Sequence, residues 1–199
     1  INASTVSLSY NKIEKFPSEL FAAGSPITSI DLSGNQMRTI PKGSIKGKNA
    51  YLLQVIDLRF NKLTSLSDDF RSTTLPYITN MDVSYNCFSE VPTQPLNSAN
   101  LRAFAINHQR DANENRCLRT WPTGITSCPS LIQFQIGSND IRKVEEKLTY
   151  HLYIVNIKDN PNISIDVTSV CPYIKAGAYR LFYDKTQDIR GCDALDLEN

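Results

Sequence analysis

Leu53-Gln-Val-Ile-Asp-Leu-Arg-Phe-Asn-Lys-Leu63 decides how this chain is read. Apolar residues stand eight, five and three positions before Asn61, at Leu53, Ile56 and Leu58, and another follows at Leu63. The pair two apart puts apolar side chains on one face of a short strand, and an Asn suits the tight bend after it. One such match means little, because any half-buried strand alternates. The same frame returns at Asn11 (Ala3, Val6, Leu8), Asn35 (Ile27, Ile30, Leu32), Asn86 (Ile78, Met81, Val83), Asn139 (Leu131, Phe134, Ile136) and Asn160 (Leu152, Val155, Ile157). Six copies in one frame make an internal repeat.

The repeat also explains the composition. The 199 residues include 17 Asn but only 8 Gly, so amides and not glycines punctuate the chain. Side-chain amides can satisfy backbone groups left unpaired at each bend, and stacked copies would form a ladder. A single coil cannot bury its apolar face. Stacking buries a continuous core, whose stability is roughly a sum of nearest-neighbour terms.

The pattern LxxLxLxxNxL resembles that of leucine-rich-repeat proteins, from about Ile1 to about Tyr183. The resemblance implies an α/β fold: a right-handed solenoid or horseshoe, parallel strands on the concave face, short helices or turns such as Ser18 to Ala22 on the convex face. It is read as one domain over 1–199, with about seven coils in 1–170 and a C-terminal cap in 171–199. Ala178-Tyr-Arg-Leu-Phe-Tyr-Asp184 is expected to lie over the last coil as part of that cap. Ile1 falls directly into a repeat, so an upstream cap or domain is expected before it, or a partner covering that end.

One copy is irregular. Leu101, Phe104 and Ile106 demand an Asn at position 109, where Gln109 stands, and the apolar-Pro pair that follows the Asn in other copies (Phe16-Pro17, Ile40-Pro41, Val91-Pro92) arrives seven residues late, as Trp121-Pro122. The polar stretch Arg110 to Arg116 is therefore an insertion, expected to protrude from the rim and to carry recognition. Asp111, Asn113 and Asn115 begin a calcium-loop pattern, but Arg116 replaces its glycine and Pro122 its bidentate Glu. A solvated loop is the preferred reading.

Among the five cysteines there is no CxxC. Cys171 with Cys192 is the preferred bridge, tying cap to last coil; Cys87 with Cys117 is a second candidate, and Cys128 reads as a small buried hydrophobe. A disulfide-held cap implies an oxidising compartment, extracellular or at a cell surface. The Cys171 to Cys192 segment also resembles the closing part of leucine-rich-repeat proteins secreted or displayed by gut bacteria.

Function is narrowed mostly by exclusion. The net charge of +1 is scattered, which excludes the footprint of a general nucleic-acid binder, and no apolar run is long enough to span a bilayer. With two histidines, no GxSxG, HExxH or GxG, no enzyme and no cofactor is implied, and His108 with Cys87 and Cys117 lacks the spacing of any zinc finger. The outward concave positions are the informative ones. Asp31, Asp57 and Asp82 form a row with Arg59 beside it, flanked at the bend by Tyr10, Phe60 and Tyr85. Aromatic anchors beside charges make a binding surface. A non-catalytic module recognising protein or peptide through this face and through Arg110, Asp111, Glu114 and Arg116 is the leading expectation; glycan binding or a structural spacer is the alternative. The acidic row is expected to be open to water, with nothing to raise the pKa of any member.

Overall fold

The computed structural model describes residues 4–22, 24–47 and 49–196. Ala3, of the first repeat, lies outside them. Among the described residues eleven short strands occur in chain order: β1 (Thr5–Ser7), β2 (Ser29–Asp31), β3 (Val55–Asp57), β4 (Asn80–Asp82), β5 (Ala103–Ala105), β6 (Gln133–Gln135), β7 (Lys143–Val144), β8 (Ile154–Asn156), β9 (Ser164–Asp166), β10 (Arg180–Phe182) and β11 (Asp188–Arg190). Eight of them form one parallel sheet in the order β1-β2-β3-β4-β5-β6-β8-β10. Each repeat thus contributes one strand beside that of the repeat before it. The return paths carry α1 (Glu19–Ala22) and single 3₁₀ turns such as Asp68–Phe70 and Ile125–Ser127.

The register is set by the apolar frame. Ile30, Ile56, Met81, Phe104, Phe134 and Val155 pair in file and are buried. The flanking rows Ile27, Leu53, Ile78, Leu101, Leu131, Leu152 and Leu32, Leu58, Val83, Ile106, Ile136, Ile157 join them in one core. β1 has a neighbour on one side only, and Val6, Leu8 and Ile13 are half-buried.

The asparagines hold the rungs together by reaching back one repeat. Asn61 accepts from the Met37 N–H (3.1 Å) and donates to the carbonyls of Leu32 (3.0 Å) and Leu58 (3.1 Å). Asn35, Asn86, Asn139 and Asn160 repeat this set, with Ile13, Leu63, Gln109 and Ile141 as the N–H donors. Gln109 keeps the ladder unbroken: its Oε1 accepts from Phe88 N–H (3.0 Å) and its Nε2 donates to Val83 O (3.1 Å). Asn11, at the first repeat, is exposed and donates only to Leu8 and Ser9 within its own rung.

Three features depart from expectation. The bend is made by the residue before each Asn: Tyr10, Phe60, Tyr85, His108, Ser138 and Asp159 have φ of 53° to 57°, and Gly34 65°. The Asn is the amide hub of the turn, not its left-handed residue. The aromatic segment 178–184 does not lie across the last coil but supplies β10, in register with β8 as an eighth strand. Gln187 then does for this rung what the asparagines do elsewhere, donating to Ile157 O (2.8 Å) and Asn160 O (3.0 Å). Finally, the return path of the last repeats becomes a second parallel sheet, β11-β9-β7. Helix α2 (Cys171–Lys175) opens this end, and Cys171 is disulfide-bonded to Cys192.

Candidate functional surface

The left-handed residues project from one edge of the sheet as a ridge. Left-handed backbone costs an L residue about 1 kcal/mol or more. Gly34 meets the turn without that cost, and Ser138 and Asp159 meet it with small side chains, so the bend itself does not require rings. Rings nevertheless stand at Tyr10, Phe60, Tyr85 and His108. Phe60 and Tyr85 stack at 4.2 Å between centroids, and Tyr85 and His108 at 4.6 Å. Phe60 and Tyr85 each remain 41% exposed, and Tyr10 78%. The break in the stack at Gly34 is filled from below: Tyr10 lies over it so closely that a Cβ there would stand 2.6 Å from the ring. Burial and the Arg110 charge hold the His108 pKa below its ordinary value, favouring the neutral ring.

Beside the ridge lies the acidic row. Asp31, Asp57 and Asp82 pair directly across β2, β3 and β4. Each accepts the N–H two residues on, from Ser33, Arg59 and Ser84 at 2.9 to 3.0 Å. Asn156 of β8 does the same for Lys158, and Asp166 of β9, in the second sheet, for Thr168, so a carboxylate or amide closes the strand end at these rungs. Arg59 folds back on the row, its Nε 3.0 Å from both Asp57 oxygens and 3.7 Å from Asp82. The Arg59 pKa rises, chiefly through the hydrogen bonds to Asp57.

The three acids do not titrate alike. Burial pushes the Asp31 carboxyl up, but hydrogen bonds from Ser33 and Ser9 and the Arg59 charge outweigh it, and the net shift is downward. Asp82 goes the other way: burial, joined by the nearby Asp57, pushes its carboxyl above the ordinary range despite Ser84 and Arg59. The expectation of a row uniformly open to water is therefore corrected at Asp82. The Asp57 and Asp82 side chains both keep only part of their surface open, 20% and 33%, so both are partly withdrawn from solvent.

The expected binding residues lie on one side of each buried strand centre, and the outward residues on the other side were not among them. Val55, Asn80, Ala103 and Gln133 sit there and, with Asp57, Arg59, Asp82 and Gln135, line an open basin of about 340 Å³. The alternation that located Asp57 also locates Val55, two residues earlier. Further along, Asn107 donates to Ser84 Oγ and Gln135 Oε1 (3.3 Å each) and accepts from Gly137 N–H (2.7 Å).

The insertion is a hairpin that folds onto the solenoid instead of protruding freely. Arg110 and Arg116 form an antiparallel bridge. The Arg110 guanidinium donates to Ser138 O (2.6 Å), and that of Arg116 to Asn139 O (2.6 Å), to Asp159 O and to the Asp159 carboxylate (2.5 Å). Burial works against the charged Asp159 carboxyl, but the Arg116 hydrogen bond and charge hold its pKa below the ordinary value. Asp111 is occupied by Asn113 N–H, Asn115 N–H and Asn115 Nδ2 at 2.8 to 3.0 Å. Those bonds, the Asn115 side chain first, lower its pKa. Glu114 is exposed at the tip with φ of 61°. Leu118 then resumes the apolar frame, accepting from Asp140 N–H as Leu63 does from Cys87.

Between hairpin and ridge runs a groove of about 500 Å³, lined by Arg38, Lys62, Tyr85, His108, Asp111 and Glu114 among others. Arg38 and Lys62 were not picked out from sequence, since both lie beyond the Asn on the return path. Among the described residues no group of three or more His, Cys, Asp or Glu could hold a metal ion, and no helix is long and apolar enough to cross a membrane.

No family model matches the chain. Two solved structures are similar over all of it. A leucine-rich repeat protein from Bacteroides thetaiotaomicron VPI-5482 is 74% identical with a TM-score of 0.97, and one from Bacteroides eggerthii DSM 20697 is 65% identical with a TM-score of 0.97. The chain spans only 24% and 33% of their lengths. Mouse Tsukushi is 30% identical over 81 residues, 41% of this chain and 23% of Tsukushi. The fold is the leucine-rich-repeat solenoid.

Proposed function

We propose that the chain is a non-catalytic recognition module that binds a protein or peptide through the ridge and the adjoining sheet face, with the hairpin 110–116 as a rim contact. One observation carries this reading. Exposed rings are held at left-handed positions where the stack itself accepts Gly, Ser or Asp, next to a basin combining Asp57, Arg59 and Asp82 with the apolar Val55. Strained positions kept with large side chains point to use, and aromatic anchors beside charges give affinity in protein interfaces. Within the hairpin, Asp111, Arg110 and Arg116 hold the loop, and Glu114, exposed at the tip, is the charged side chain open to a partner.

The glycan alternative fits less well. Sugar rings stack on open aromatic faces, but at 4.2 and 4.6 Å Phe60, Tyr85 and His108 cover one another's faces and present mainly edges. The bonded Cys171 and Cys192 favour an oxidising address, extracellular or at a bacterial surface. The test is a selection of binders from a displayed peptide library, followed by affinity measurement on the double variant Phe60→Ala, Tyr85→Ala. A loss of at least about tenfold, roughly 1.4 kcal/mol, is expected for most binders. Tyr150 and Tyr173 form a separate exposed stack, 5.5 Å between centroids, and binders that ignore the first variant but lose affinity on Tyr150→Ala, Tyr173→Ala would place recognition there instead.

A further inference from the structure

The hairpin is clamped to the later rungs by two arginines, and on the side of the fourth rung it carries an unused pair of groups. Cys87 follows Asn86 in the turn after β4, and Cys117 leaves the hairpin beside Arg116. Their sulfurs lie 3.6 Å apart, across 30 residues of sequence, and neither is bonded. Both are partly exposed. Elsewhere in the same chain Cys171 and Cys192 are already joined. Conditions that oxidise one pair reach a second pair in contact.

We infer that Cys87 and Cys117 are a dithiol that closes to a disulfide, locking the base of the 110–116 hairpin to the fourth rung beside the Tyr85–His108 end of the ridge. The oxidant is an external disulfide, a small one or that of a thiol oxidoreductase. One protein thiolate attacks it, forming a mixed disulfide and releasing one external thiol; the second protein thiolate attacks the protein sulfur of that intermediate and releases the other. One external S–S bond breaks and one Cys87–Cys117 bond forms. The protein loses two electrons, and its two protons end on the two released thiols.

The surroundings suit a lock better than a catalytic redox pair. Burial, with the Cys87 contact, pushes the Cys117 thiol up to about 11, so the reduced form gains no stabilised thiolate. Oxidoreductase cysteines are built the opposite way. Before closure the hairpin's tie to the fourth rung includes the Arg110 N–H donated to Asn86 O (2.9 Å). After closure both flanks are fixed, and the groove wall formed by Asp111 and Glu114 is set against Tyr85 and His108.

The test uses the full chain incubated with oxidised glutathione, then denatured and titrated for thiols. The count should fall from the three of Cys87, Cys117 and Cys128 to one, with a Cys87–Cys117 peptide found by mass spectrometry. The double variant Cys87→Ser, Cys117→Ser should show one thiol before and after. Three thiols persisting, or glutathione remaining on Cys87 or Cys117, would overturn the pairing. As a second readout, amide exchange over 111–115 should slow by about tenfold on closure and recover on reduction. Closure that leaves those rates unchanged would overturn the lock.

Discussion

Asn86 joins two rungs through four hydrogen bonds, to Leu58, Val83 and Ser84 carbonyls and from Leu63 N–H, all but buried. Alanine there leaves the buried Leu63 N–H unpaired and takes one of two donors from each carbonyl, which keep Asn61, Gln109 and the Phe60 N–H, and a loss of about 1 to 3 kcal/mol is expected in urea unfolding. Asn11→Ala removes only exposed bonds within one rung and should cost less than about 1 kcal/mol. Equal costs would contradict the reach-back ladder. Asp82 gives a prediction of the opposite sign. Its folded pKa lies above the ordinary 3.8, so the folded state binds its proton more tightly than the unfolded one, and the destabilisation appears as pH rises through that window. Asp82→Asn can keep the Ser84 N–H bond and should raise the urea midpoint at pH 7 while leaving it nearly unchanged well below pH 3.8. A lower midpoint at pH 7 would mean that the Arg59 contact outweighs burial.

At the scale of elements, the strands and their register were legible because alternation and the Asn interval fix both which residues face inward and which meet across the sheet. The hairpin was legible only as an insertion. Its fold depends on long-range bonds from Arg110 and Arg116 to Ser138, Asn139 and Asp159, and nothing local in the sequence signals them. The Asn marks the bend in the sequence, but the left-handed residue is the one before it, because the Asn amide is committed to the ladder. The second sheet has no sequence signature, since Lys143–Val144 is too short to show a period. At the C-terminal end, Cys171 and Cys192 close a loop of 21 residues holding α2, β10 and β11. Replacing both by serine should cost about 3 kcal/mol in the chain-entropy estimate, read by calorimetry, with exchange rising first over β10 and β11. Faster exchange starting at β2 and β3 instead would mean that the bond does not secure the last rung.

Apart from α2 against the turn Asp193–Asp196, the main contacts between elements run between successive rungs of each sheet, so stability is close to a sum along one axis and a surface row can vary without disturbing the stack. That is why the fold could be read from the inward residues while the ligand could not: the outward rows obey no packing rule. What the structure adds is proximity, placing the ridge, the Asp57–Arg59–Asp82 basin and the hairpin groove side by side. The most direct check of recognition there is amide exchange of the chain with and without a bound library-selected ligand. Protection concentrated over 55–60, 80–85 and 103–108 is expected, with β7, β9 and β11 unchanged; protection over β7, β9 and β11 with none along the ridge would contradict the proposed surface.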